Sequence, residues 1–137
     1  MNKIHLYNTE NILEIPNTQK INITELSKLE NDSVDFIYMQ DILDTIFPED
    51  HDSVLQICGE KIKEDGFISI QAPDLKQLAI AITLDQINTD IAQMILYKDR
   101  VFVHTAQNIK DIVESNKLTV HSQKYINIFE YYFILTK

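Results

Sequence analysis

Glycine is what this chain most lacks: it has two in 137 residues, and none before Gly59. Glycine is the default wherever backbone must turn left-handed or lie close against a ligand. A bare-backbone loop is therefore excluded from the first 58 positions. Cysteine is nearly absent as well. Cys58 stands alone, so no intrachain disulfide can form and a reducing cytoplasm is the expected compartment. Its neighbours Val54, Leu55, Ile57 and Ile62 place it on the inner face of a helix, with no basic cluster to activate the thiol. Positive charge is scarce too, 12 Lys and Arg against 21 Asp and Glu, for a net charge of −9. Affinity for a phosphate backbone comes from lysine and arginine displacing counterions, so nucleic acid is not an expected partner. No apolar run is long enough to cross a bilayer, and Asn8, Thr9 and Glu10 stand where a signal peptide needs apolar residues. A cytoplasmic protein with no membrane partner is expected.

What the chain does contain is ordinary globular composition, 45% hydrophobic and 24% charged, enough for one domain over 1–137 with a continuous core. Strands are expected at 3–7 and, in a less central place, at 19–24. Residues 8–18 read as a loop with one weak helical turn around Ile12 and Leu13. Val34 to Met39 is the clearest buried strand, apolar and preceded by the turn signal Asn31-Asp32-Ser33. Ile42, Leu43 and Ile46 follow helical spacing up to Phe47-Pro48. A helix is predicted over 52–63, capped by Asp52 or Ser53, then a turn at Glu64-Asp65-Gly66 and a strand at 67–71. Asp74 caps the next helix, with Gln77 in capping-box register. Helical stripes follow over 85–97 and 106–116. Two alternating segments, 118–124 and 128–136, close the chain as an antiparallel hairpin. The expected class is α/β: a mostly parallel sheet ending in a hairpin.

Several segments resemble class I S-adenosylmethionine-dependent methyltransferases. Leu29-Glu30-Asn31-Asp32-Ser33-Val34-Asp35-Phe36-Ile37-Tyr38 resembles that family's "LP-F-D-N-S-V-D-x-I-Y". Ile62-Lys63-Glu64-Asp65-Gly66-Phe67 is similar to its "L-K-P-G-G" turn, and Ala72-Pro73-Asp74-Leu75 to its "V-P-D-L". Lys3-Ile4-His5-Leu6 is similar to the "K-L-H-L" before the "G-C-G" cofactor loop, Glu25-Leu26-Ser27-Lys28-Leu29 to "D-L-T-K-L", and Val103-His104-Thr105 to an "H-K-S" segment. The resemblance implies a Rossmann-like fold, S-adenosylmethionine as cofactor and a small metabolite or sugar as methyl acceptor. It places Tyr7, Asn8 and Glu25 against the cofactor, and Asp41 or His104 near the acceptor. The chain also departs from the pattern. Tyr7-Asn8-Thr9 replaces the glycine loop, and the second strand offers Asn22 or Thr24 where relatives carry a ribose-gripping carboxylate. The distance from Leu6 to Glu25 is short for a full helix and strand, so the N-terminal cofactor half is expected to be shortened.

Each candidate also has a plainer explanation. Asp35 fits a carboxylate that satisfies loop amides at the mouth of a strand. Asp41 and Asp44, three apart on one helix face, could line a cleft with Gln40 or form a solvated acidic face. Glu49, Asp50, His51 and Asp52 read as capping and solubility rather than a metal site. His104 could serve as a general base toward a hydroxyl or satisfy loop backbone. His5 reads as a hydrogen-bonded interior residue, His121 as outward-facing, and Tyr131 to Phe133 as packing. Two functions stay open. One is a methyltransferase acting on a small molecule. The other is a non-catalytic domain that binds a small ligand or a protein partner, a second copy of the chain included.

Overall fold

The computed structural model describes residues 1–8, 14–97 and 100–137. Six strands form one sheet in the order β2-β1-β3-β4-β6-β5. These are β1 (Lys3–Tyr7), β2 (Gln19–Asn22), β3 (Val34–Gln40), β4 (Ile62–Pro73), β5 (Thr119–Tyr125) and β6 (Glu130–Thr136). β2, β1, β3 and β4 run parallel, while β6 lies antiparallel to β4 and β5 antiparallel to β6. The expected α/β class, the edge position of the second strand and the closing hairpin are all present. The link from β1 to β2 is residues 8–18, shorter than the dozen or more residues of a helical crossover. The N-terminal half is shortened accordingly.

Side chains alternate along each strand, so the register pairs sort them by face. Ile4, Ile37, Met39, Ile68, Ile70 and Leu135 share one face and are essentially fully buried. Helices α1 (His51–Lys61) and α4 (Ala106–Ser115) close that face with Leu55, Cys58, Ile109 and Val113. Cys58 Sγ lies 3.9 Å from Met39 Sδ, and burial pushes its thiol up to about 12; it is a core residue. The opposite face carries His5, Tyr38 and Ser69 in register, and Phe36 stacks on Tyr38 with ring centroids 4.3 Å apart. α2 (Leu75–Thr83) and α3 (Thr89–Tyr97) pack on each other and add nothing to the main core cluster.

Several local expectations are corrected. The second strand stops at Asn22, whose side chain accepts from Thr24 N and starts a 3-10 turn over Ile23–Lys28. The spacing of Ile42, Leu43 and Ile46 gives only a 3-10 turn, Leu43–Thr45. α1 begins earlier than expected, because Pro48–Asp50 already winds as a 3-10 turn and leads directly into it. Neither Asp52 nor Ser53 caps α1: Asp52 accepts from Asn116 Nδ2, and Ser53 Oγ donates to Asp50 O. Glu64-Asp65-Gly66 does not divide turn from strand. It is an irregularity inside β4, where Val34 pairs with Ile62 but Phe36 with Phe67. The stripe over 85–97 becomes helical only from Thr89. The expected turn at Ile12 and Leu13 lies outside the described residues.

Scarce glycine leaves a visible trace. Among the described residues, the left-handed positions are Asn17, Asp32, Asp41, Asp85 and Lys117, and neither glycine is one of them. Asparagine and aspartate tolerate that region best after glycine. Gly66 is needed for space instead, since a Cβ there would stand 3.1 Å from Val34 O and Lys63 backbone.

Candidate functional site

In an open α/β sheet, ligands bind beyond the carboxyl ends of the strands. Here that end has two parts. The first follows β3. The chain leaves Gln40 through Asp41 at φ 51°, held by Asp41 N donating to Gln71 O at 2.8 Å. Asp44 then points inward from its 3-10 turn and is 2% exposed. Arg100, the only arginine in the chain, returns from α3 to meet both acids. Its Nε donates to Asp44 Oδ2 at 2.5 Å and its Nη2 to Asp41 Oδ1 at 3.1 Å. Nη1 donates to Ile95 O at 2.6 Å, in the last turn of α3, where a cation is favoured. Burial, reinforced by neighbouring Asp41 and opposed by Arg100, pushes the Asp44 carboxyl up to about 6. Asp44 Oδ1 has no hydrogen-bond partner among the described residues. Asp41 and Asp44 thus do not share a helix face; one guanidinium joins them across a turn.

The next residues bring in two histidines. Val101 N and Phe102 N donate to Asp44 O at 2.8 and 3.3 Å, which fixes the approach to His104. The His104 ring lies between Phe102 and His51, with centroids at 4.6 and 4.7 Å. Burial, helped by His51, lowers its pKa to about 4, so it is neutral at ordinary pH. Only 7% of His104 is exposed. Its carbonyl accepts from Leu75 N at the start of α2, and Thr105 begins α4 with a capping box to Asn108. His51 points inward rather than into the acidic turn: its Nε2 donates to Leu43 O at 2.6 Å and Ile46 O at 3.1 Å. That bonding assigns the proton to Nε2, and Nδ1 has no hydrogen-bond partner among the described residues. Among the described residues, no three His, Cys, Asp or Glu side chains converge as a metal site.

The second part follows β1 and β2. Tyr7, half-buried, ends β1 opposite Asn22 in the ladder. Asn8 Nδ2 donates to Thr45 O at 3.2 Å and Thr45 Oγ1 at 3.1 Å, tying the end of β1 to the turn after β3. Asn22 Oδ1 is taken by Thr24 N and Thr24 Oγ1. Glu25 sits in the 3-10 turn just beyond, exposed and 2.6 Å from Lys28 Nζ. Tyr7, Asn8 and Glu25 thus share the carboxyl edge of the sheet, and Asp41 and His104 flank Asp44 at the neighbouring strands. Thr9 lies outside the described residues.

Of the remaining candidates, Asp35 accepts from Asn2 N and lies 2.9 Å from Lys63 Nζ, in the structural role expected of it. His5 is interior, as expected, but neither ring nitrogen has a hydrogen-bond partner among the described residues, and burial lowers its pKa. His121 is exposed. Tyr131 and Phe133 are buried packing residues. Arg100 was missed by sequence reasoning. Its one legible signal was uniqueness, because its partners lie 56 and 59 residues away.

This sheet order and helix placement are those of the Rossmann-like class I methyltransferase fold, with a short link between β1 and β2. Solved structures with that architecture align over nearly the whole chain. A protein from Pyrococcus horikoshii OT3 matches 88% of this chain over 59% of its own, with TM-score 0.64 and 18% identity. A SAM-dependent methyltransferase from Archaeoglobus fulgidus matches 98% of this chain over 75% of its own, with TM-score 0.63 and 15% identity. An O-methyltransferase from neocarzinostatin biosynthesis, in complex with S-adenosylmethionine and 2-hydroxy-5-methyl naphthoic acid, matches 87% of this chain over 33% of its own, with TM-score 0.58 and 13% identity. Identities this low establish the fold and no more. No protein-family model and no curated protein matches the sequence. No described helix is long and apolar enough to cross a membrane.

Proposed function

We propose that this chain is a methyltransferase-like protein with an impaired S-adenosylmethionine site, which binds a small ligand or a protein partner and does not transfer methyl groups by itself. The observation that carries this reading is the end of β1. A glycine loop would there present bare amides, but Tyr7 places a ring and Asn8 spends its side-chain amide on Thr45. Asn22, at the end of β2, is a neutral amide already used as a cap. Glu25, in the turn after β2, pairs with Lys28. These residues do not fit the cofactor.

Calorimetry with S-adenosylmethionine and with its demethylated product tests the reading. The expected result is no heat and no thermal shift at millimolar ligand, with measurable affinity gained in Tyr7→Gly combined with Thr9→Gly. Micromolar binding by the unmodified chain overturns it.

One observation favours catalysis on a small metabolite or sugar instead. Asp41 is 37% exposed at the carboxyl end of β3, where acceptors sit in open sheets. Methyl transfer depends mainly on orientation of the reacting atoms, so a missing acid–base motif does not count against that alternative. Radiolabelled methyl incorporation into a metabolite extract, abolished by Asp41→Ala without loss of fold, would establish it.

A further inference from the structure

A parallel sheet is ordinarily covered on both faces, because its right-handed crossovers place helices on each. Here the two faces differ. α1 and α4 close the face of Ile37, Met39 and Ile70, while α2 and α3 pack chiefly on each other. The opposite face carries Phe36 and Tyr38 on β3, Phe67 on β4, and Tyr132 and Ile134 on β6, set side by side by the register. All five are only half-buried, and none belongs to the core cluster. Phe36 stacks on Tyr38 and stands 6.2 Å from Phe67 between ring centroids, so the rings form one apolar strip. No described helix brings that strip into a core.

Handedness shows what kind of element belongs there. α1 connects β3 to β4 in one direction across the sheet, whereas β1 connects to β2 in the other. Both connections join parallel strands, so a right-handed crossover from β1 to β2 would place its helix on the face opposite α1. Residues 8–18 are too few for a helical crossover. That connection therefore leaves the strip without its helix.

Dimensions and charge define the occupant. β3, β4 and β6 are consecutive in the sheet and together span about 10 Å, the width of one α-helix with its side chains. Lys3 on β1 and Lys124 on β5 border the strip, and Lys124 Nζ lies 5.4 Å from the Tyr132 ring centroid. Lys20 stands beyond on β2, where exposed Glu14 meets it. Among residues paired in register, Glu130 at one end of β6 is the one acid on this face. A chain of net charge −9 thus presents a face on which lysines outnumber acids. Such a face suits an apolar stripe bordered by carboxylates. A second copy would set the same lysines against each other, and a nucleic acid would meet the acidic remainder of the molecule.

We propose that this sheet face docks one amphipathic helix of a partner protein, its apolar stripe on Phe36, Tyr38, Phe67, Tyr132 and Ile134 and its acidic flanks toward Lys3 and Lys124. The proposal rests on the partner-binding part of the proposed function and names the surface used. The test is fluorescence anisotropy of the full chain with a synthetic helix-forming peptide, leucine along one stripe and glutamate on both flanks. A length of about 16 residues, roughly 24 Å, matches the seven-residue β3. The expected result is saturable binding, with the dissociation constant raised at least about tenfold by Tyr38→Glu and separately by Ile134→Glu. Lys3→Glu combined with Lys124→Glu, both at the surface, should weaken it about fivefold. Ile80→Glu and Met94→Glu, in the solvent-exposed apolar stripes of α2 and α3, should leave it unchanged. Circular dichroism shows whether each variant remains folded. Absence of binding up to millimolar peptide overturns the proposal, as does equal affinity for the same peptide with lysine in place of glutamate. Loss of binding in the α2 and α3 variants alone also overturns it. Displacement of the peptide by single-stranded oligothymidylate overturns it in favour of a nucleic acid surface. Micromolar cofactor binding beside an intact peptide site would sink only the impaired-site reading, and no binding of either ligand would sink only this proposal.

Discussion

The two parts of the sheet's ligand end are built on different terms. Beyond β3, charged groups are buried and paired: Asp44 is 3% exposed at its side chain, Arg100 14%, and the guanidinium is shared with Asp41. Beyond β1 and β2, no charge is buried: Glu25 pairs with Lys28 and Asn22 with Thr24 near the surface, and the neutral amide of Asn8 bonds to Thr45. The lesson is about which residues a fold can spare. Tyr7, Asn8, Asn22 and Glu25 bury no charge, so they can change while the apolar core, to which β1 and β2 add Ile4, Leu6 and Ile21, persists. The β3 edge is part of the folded framework, since its charges cannot be left alone in the interior.

The sharpest test of this contrast is Arg100→Met. It strands Asp44 and Asp41 without a counter-charge and should destabilise the protein by about 3 kcal/mol in urea unfolding. A loss below about 1 kcal/mol would mean that water reaches Asp44 and that the two edges do not differ.

Acid titration gives the next largest effect. His104 is depressed to about 4 from its ordinary 6.5, so the unfolded chain binds more protons and stability falls as pH drops through that interval. Asp44 is raised to about 6 from 3.8, so the folded chain binds more protons there; its contribution is full below 3.8 and is lost as pH rises through 6. The two oppose each other over nearly the same window. His104→Phe should therefore flatten or reverse the acid-side loss of the urea midpoint between pH 6.5 and 4. Asp44→Asn should steepen it. Parallel profiles for wild type and both variants would refute the assignment.

Smaller effects belong to the β1–β2 edge. Asn8→Ala breaks the tie to Thr45 and should cost about 1 kcal/mol, the worth of an ordinary hydrogen bond. Glu25→Ala removes a surface i,i+3 pair and should change stability by less than about 0.5 kcal/mol. If Glu25→Ala proved as damaging as Arg100→Met, the comparison between the edges would collapse.

Much of the fold was legible because it rests on short-range pattern. Val34 to Met39 is an apolar, aromatic run bounded by a turn signal, and it becomes a strand buried between two neighbours. The hairpin alternation over 118–136 likewise matches β5 and β6. Helix starts were less legible: Asp52 and Ser53 are good capping residues by type, yet Pro48 had already begun the winding that led into α1. The irregularity in β4 read as a turn because Glu64-Asp65-Gly66 has turn composition, while its pairing depends on distant β3.

Sequence alone thus determined the α/β class, the single buried thiol, the acidic surface and the shortened N-terminal half, all of which follow from composition or from spacing within a few residues. Tertiary structure alone decided that Arg100 would join Asp41 and Asp44, that His51 would turn inward against His104, and that the α2–α3 stripes would remain open to solvent. Those outcomes depend on contacts between residues far apart in the chain. Which of two like residues is buried or paired is set by the elements packed against it, and no local pattern encodes that choice.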